Sequence, residues 1–171
     1  MSTNKESLSW FAAKVLHNRL QSVKETLEVG GVEYFCPENV IPSLVFVHSD
    51  LSTAQTLQQK MFGKMWFYRS LDRSTLARIS QKEMEVFMFV VTAGEKGLIY
   101  LGDDRPEYHV GDRVRVTDGP FKGAEGHIKR IKKDRRLVVT VSGVAAVATS
   151  YIHPDFLQII ESDTDKTVPK P

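Results

Sequence analysis

Apolar positions repeat along this chain with two periods, and the change from one to the other falls near residue 92. In the first part, strand-like runs alternate with stripes of helical spacing. Trp10–Val15 reads as a strand that ends in the polar pair His17-Asn18. Asn18 followed by Gln21 resembles a capping box and predicts a helix over Leu20, Val23 and Leu27, stopped by Gly30-Gly31. Val32–Phe35 is a short strand closed by Pro37, and Leu44–Val47 is a compact apolar run between Pro42 and Asp50, read as a central strand. Ser52 with Gln55 suggests the next cap, with Ala54, Leu57 and Met61 as the buried stripe behind it. Met65–Tyr68 is aromatic-rich and strand-like. Ser80-Gln81-Lys82-Glu83 has the residue types of a capping box, and Met84, Phe87, Met88 and Val91 follow at helical spacing. The order strand, helix, strand, strand, helix, strand, helix predicts an α+β fold with helices packed on an antiparallel sheet.

Thr92–Glu107 holds Gly94, Gly97, Gly102 and Pro106 among charges and reads as a linker, within which Leu98–Leu101 is apolar enough to dock. Beyond it the helical period disappears. Val110, Val114 and Val116 share one face of a strand, with Arg113 and Arg115 on the other. The strand runs into the turn signal Asp118-Gly119-Pro120, and Phe121, Gly123 and Gly126 follow at short intervals. Gly126–Ile131, Leu137–Ser142, Val144–Ile152 and Leu157–Ile160 bring the strands to five, the pattern of a small barrel. Gly119 suits a turn with positive φ, Gly126 a close strand approach, and Phe121 a barrel plug. The expected organisation is an α+β domain over 1–91, a linker over 92–107, a barrel over 108–161 and a flexible tail over 162–171.

Composition narrows the function classes. Hydrophobic residues make up 42% and charged residues 26% of 171 residues, enough for a packed core. The single cysteine, Cys36, excludes an intrachain disulfide and a cysteine-based zinc cluster, and a buried thiol is the default reading. No run approaches the ~20 apolar residues of a spanning helix, and the N-terminus has no apolar signal core, so a soluble cytoplasmic protein is expected. Net charge is only +2, too mild to argue nucleic-acid binding from totals. His48-x-Asp50 and the scattered His109, His127 and His153 lack metal-ligand spacing, and Gly119–Gly126 lacks the Lys-Ser ending of a phosphate loop. No enzyme, metal or cofactor is expected.

Charge is nevertheless concentrated. Residues 122–136 carry seven cations (Lys122, Lys129, Arg130, Lys132, Lys133, Arg135 and Arg136) against Glu125 and Asp134. Two readings stand side by side. The cations discourage edge-to-edge strand pairing, or they release counterions from nucleic-acid phosphate.

The block Val110-Gly111-Asp112-x-Val114-x-Val116 followed by Gly119-Pro120-Phe121 resembles the KOW module, and the N-terminal half resembles the domain that precedes it in the NusG family of transcription elongation factors. The N-terminal resemblance is carried by Trp10-Phe11, by Pro42–Val47 (PSLVFV) in place of the family's Phe-x-Pro-Gly-Tyr-x-x-Val, and by Ile79-Ser80-x-x-Glu83-Met84. It spans Trp10 to Ile160 and implies an SH3-like five-stranded KOW barrel at the C-terminus. Ser43 and Leu44 stand where the family has Gly-Tyr, and SGVAAVATS after Val141 replaces the Phe-Gly-Arg-like tip through which general NusG proteins contact Rho and a small-subunit ribosomal protein. These departures favour a specialised paralogue of the UpxY/RfaH kind, which antiterminates long operons such as surface-polysaccharide loci. The housekeeping NusG factor and a ribosomal or RNA-binding KOW protein are the rival readings.

By the same resemblance, a non-enzymatic, monomeric factor grips the clamp coiled coil of RNA polymerase through Trp10, Phe11, Pro42, Leu44 and Phe46. Leu44 and Phe46 share a face opposite Val45 and Val47; alternation leaves open which face is core. Lys14, His17, Asn18 and Arg19 occupy the corner that the family places near the non-template DNA strand. Arg19 can pair with phosphate and His17 can stack on an unpaired base. The barrel, through its cations and through Val144, Ala145 and Ala146, would contact nascent RNA, the ribosome or another regulator.

Overall fold

The computed structural model describes residues 7–94 and 96–162; the tail expected from residue 162 lies, beyond Ser162, outside them. The chain divides into two compact units, Met1–Met84 and Glu85–Pro171. In the first, β1 (Ser9–Val15), α1 (Leu20–Val29), β2 (Glu33–Phe35), β3 (Leu44–Ser49), α2 (Leu51–Lys60) and β4 (Met65–Phe67) follow the predicted order. The antiparallel sheet runs β2-β3-β1-β4. Period-two alternation sorts its side chains. Phe11, Ala13 and Val15 of β1, Val45 and Val47 of β3, and Met65 and Phe67 of β4 form one core with Val23, Leu27, Ala54 and Leu57 of the two helices. Each large side chain so buried contributes about 1.5–3 kcal/mol. Trp10, Ala12, Leu44 and Phe46 lie on the other face, and they too are buried.

Two helix starts differ from expectation. Asn18 adopts φ 66°, and Arg19 occupies the cap position of α1 with no side-chain cap bond, so the Asn18/Gln21 box is not formed. Asp50, not Ser52, caps α2: its carboxylate accepts from the Thr53 amide at 2.6 Å. Asp50 takes the position because its side chain reaches the third amide of the helix, and the helix therefore begins one residue before Ser52. The third cap is as predicted. Ser80 Oγ accepts from the Glu83 amide at 3.2 Å and opens α3 (Gln81–Ala93), which continues past the division between the units.

In the second unit β5 (Ile99–Gly102), β6 (Arg113–Val116), β7 (Glu125–Ile131), β8 (Asp134–Val141), β9 (Ala145–Tyr151) and β10 (Leu157–Glu161) form an antiparallel sheet in the order β10-β6-β7-β8-β9-β5. The five predicted strands are joined by a sixth. β5 lies inside the stretch expected as linker and pairs with β9, Ile99 opposite Ala148. There Ile99 and Leu101 pack on Val138, Ala146 and Ala148, with Tyr108 from the short 3-10 turn Pro106–His109. A Cβ on Gly126 would stand 2.3 Å from the Val138 carbonyl oxygen, so this position of β7 requires glycine. Gly119 has φ 83°, as the turn signal implied, and Phe121 is buried.

Candidate nucleic-acid interface

The β1–α1 corner brings Lys14, His17, Asn18 and Arg19 together, all four exposed. Lys14 ends the sheet face opposite the helices, with Leu44 of β3 and Trp66 of β4 directly across in register. Trp66 is 46% exposed between the buried Met65 and Phe67. An indole half in water beside an ammonium group is a surface for stacking or for an apolar partner. The sequence reads 65–68 as an aromatic-rich strand without singling out Trp66; strand alternation carries the signal, since neighbours that face the core turn Trp66 outward.

The five residues read as a polymerase-binding surface sit differently. Phe11 belongs to the helix-side core. Trp10, Leu44 and Phe46 are 3%, 2% and 0% exposed, so their side chains do not present an open apolar surface; Pro42 is the exposed member. Trp10 is further fixed by stacking on His48, ring centroids 4.7 Å apart, and by donating Nε1–H to Gln81 Oε1 at 2.8 Å. His48 in turn bonds Glu33 at 2.8 Å. Cys36 is half-buried, and burial pushes its thiol up to about 11, which makes it inert as a nucleophile. Among the described residues no group of three or more His, Cys, Asp or Glu is placed to hold a metal.

In the barrel the run of cations separates into two places. Lys122 sits in the β6–β7 turn, its amide bonded to the Gly119 carbonyl. The other six lie around the β7–β8 hairpin, at the far end of β7, about 20 Å away for a strand of that length. Ile131 pairs with Asp134, leaving Lys132 and Lys133 as a two-residue turn with φ 50° and 74°. Positive φ at both positions is the signature of a turn that favours Asn-Gly. Each lysine there costs about 1–2 kcal/mol. Behind the turn, Arg130 faces Arg135 and Lys129 faces Arg136, and like charges directly opposite are destabilising. Arg136 is held by the Thr149 carbonyl at 3.1 Å and by Asp134 at 3.5 Å. By contrast Arg113 and Arg115 on β6 both pair with Glu125, at 2.8 and 2.7 Å.

Val144, Ala145 and Ala146 are buried, which corrects their expected role as a partner-facing loop. Val144 closes a tight turn and the alanines begin β9; only Ser142 and Gly143 are exposed at that tip. The Gly143 amide donates to Asp104 Oδ2 at 2.8 Å, and the same carboxylate bonds His109 Nε2 at 2.8 Å. A second residue that the sequence left unmarked is Tyr151, 53% exposed on β9 and in register with Arg136.

Among the comparisons with known proteins, the KOW motif model matches residues 110–142, within the second unit. Thermotoga maritima NusG then matches over 91% of this chain and 98% of its own, at 19% identity and a TM-score of 0.53, so the chain has the NusG fold. A chain of the MjSpt4:Spt5 complex aligns over 90% of this chain and 99% of its own, at 12% identity and a TM-score of 0.32, too low to bear on the fold. No curated protein matches in sequence. No helix among the described residues is long and apolar enough to cross a membrane.

Proposed function

We propose that this protein is a non-enzymatic transcription elongation factor of the NusG kind that binds RNA polymerase through its first unit. The observation that carries the reading is the joining, in one chain of NusG fold, of an α+β unit to a KOW motif at 110–142. Binding favours elongation only in so far as it is tighter to the elongating than to the paused or terminating state. With Trp10, Leu44 and Phe46 buried, the surface available to polymerase on that sheet face is its margin, Pro42, Lys14 and Trp66, and the adjoining His17-Asn18-Arg19 corner faces the non-template strand. The finer reading, a specialised factor that promotes read-through of a long operon, is supported by a barrel tip that exposes Ser142 and Gly143 and no Phe-Gly-Arg-like group.

In vitro transcription over a long template with a terminator tests this. The wild type is expected to shorten pauses and raise read-through, and Trp66→Ala to lose most of that effect while remaining folded. Unchanged pausing and read-through with the wild type would overturn the function. Full activity in Trp66→Ala would overturn only the placement of the polymerase contact.

A further inference from the structure

The register bears on the two readings of the cationic hairpin. β6 pairs with β7 only over 125–127 and β9 reaches β8 only as far as Arg136, so the tip of the hairpin projects past its neighbours, where cations discourage edge pairing. Edge protection does not call for the rest of the arrangement, which is unfavourable to the fold by itself. Two cation pairs face each other across the ladder, and two lysines take a turn geometry suited to Asn-Gly. No carboxylate among the described residues pairs with Lys129, Arg130, Lys132, Lys133 or Arg135. Arg130 and Arg135 lie on one face of the ribbon, Lys129 and Arg136 on the other, and the turn lysines at its end. On the second of these faces the row continues from Lys129 through Arg136 to the exposed ring of Tyr151.

We propose that this hairpin and Tyr151 form a binding site for single-stranded RNA. Five unneutralised cations follow a phosphate backbone, and a half-exposed phenol ring beside them offers a stacking face to an unpaired base. A paired base, already stacked on its neighbours, leaves that ring unused, which is why a single strand fits better than a duplex. The site does not depend on the elongation reading; naming the nascent transcript as its ligand does.

The test is fluorescence anisotropy of the full chain with a labelled single-stranded RNA 16-mer, the same sequence as single-stranded DNA, and a DNA duplex, at 50 and 200 mM salt. Five phosphate contacts predict about a 100-fold loss of RNA affinity across that salt range. Lys132→Asn with Lys133→Gly should bind several-fold more weakly at 50 mM and lose only about 20-fold on raising the salt, because two contacts are gone. The same double variant should melt higher by at least about 8 °C, since it relieves both positions of the turn; a purely structural role for the lysines predicts the stability gain without the loss of binding. Tyr151→Ala should weaken RNA binding at least about 5-fold and Tyr151→Phe should not. Duplex binding as tight as single-strand binding, or undiminished binding by the double variant, overturns the site. Tighter binding of the DNA single strand than of RNA overturns the RNA assignment. No polymerase is present, so the outcome is separate from that of the transcription assay.

Discussion

Thr149→Val is a sharp test of how the barrel is held. Thr149 is fully buried on β9, where the register with β8 shifts between Arg136 and Val138. The shift leaves the Leu137 amide opposite no backbone carbonyl in the ladder. Thr149 Oγ1 takes that amide at 3.2 Å and donates its own proton to the Ser150 carbonyl at 2.8 Å. Valine has the same shape and no oxygen, so the Leu137 N–H would be stranded in an apolar surround. An unsatisfied buried group costs about 1–3 kcal/mol. The added methyl returns about 0.8 kcal/mol, leaving a net loss of up to about 2 kcal/mol.

For a unit of this size such a loss lowers the melting temperature by up to about 15 °C. Both tryptophans, Trp10 and Trp66, are in the first unit, so indole fluorescence does not report on this change. Amide exchange does. The Leu137 amide should exchange markedly faster in Thr149→Val and stay protected in Thr149→Ser, which keeps the oxygen and loses only a methyl. Unchanged Leu137 exchange in Thr149→Val together with an unchanged melting temperature would refute the side-chain rescue of the bulge.

Gly126→Ala should destabilise the barrel by about 1–3 kcal/mol, read as a lower urea midpoint for the exchange of β7 and β8 amides, because the new Cβ would lie 2.3 Å from a backbone oxygen that cannot turn away. Asp72 accepts from the Ser70 hydroxyl and from the Ser74 amide and hydroxyl, which hold its carboxyl near pKa 2, below an unfolded value of about 3.9. Its folded pKa is depressed, so its stabilising contribution is complete above about pH 4 and is lost as pH falls toward 2; Asp72→Asn should flatten acid unfolding in that window, and an NMR titration that finds Asp72 at an ordinary value would sink the argument.

Strand alternation made much of this fold legible in advance. It separated Leu44 and Phe46 from Val45 and Val47, and both pairs do lie on opposite faces. It reports which residues share a face, though, and not what covers the face, so the burial of both sets was out of its reach. The same limit explains Val144–Ala146. Small residues after Ser142-Gly143 look like a loop, whereas β9 is buried over most of its length and small side chains are what a strand with both faces covered accommodates. Glycine content hid β5, because Gly97 precedes and Gly102 ends a strand only four residues long. Register was wholly beyond the sequence: that seven cations occur between 122 and 136 is plain there, but which of them face one another is not.

Two places in the second unit break local rules, and the difference between them separates architecture from function. At the β8–β9 bulge the ladder is interrupted and a buried amide of β8 loses its regular partner, yet Thr149 on the facing strand β9 supplies the missing acceptor. The violation is answered internally, so it needs no ligand to account for it. At the β7–β8 hairpin the positive φ of Lys132 and Lys133 and the facing pairs Arg130–Arg135 and Lys129–Arg136 have no such answer among the described residues. Asp134 approaches Arg136 alone, at 3.5 Å. Asn-Gly at the turn and a single acid on either strand would remove the cost without altering the sheet. Strain and repulsion that a sequence could easily shed, and that its own fold does not offset, are expected where an outside partner supplies the compensation. For a ribbon cationic on both faces, that partner has to be anionic and long enough to follow it, which a nucleic-acid strand is.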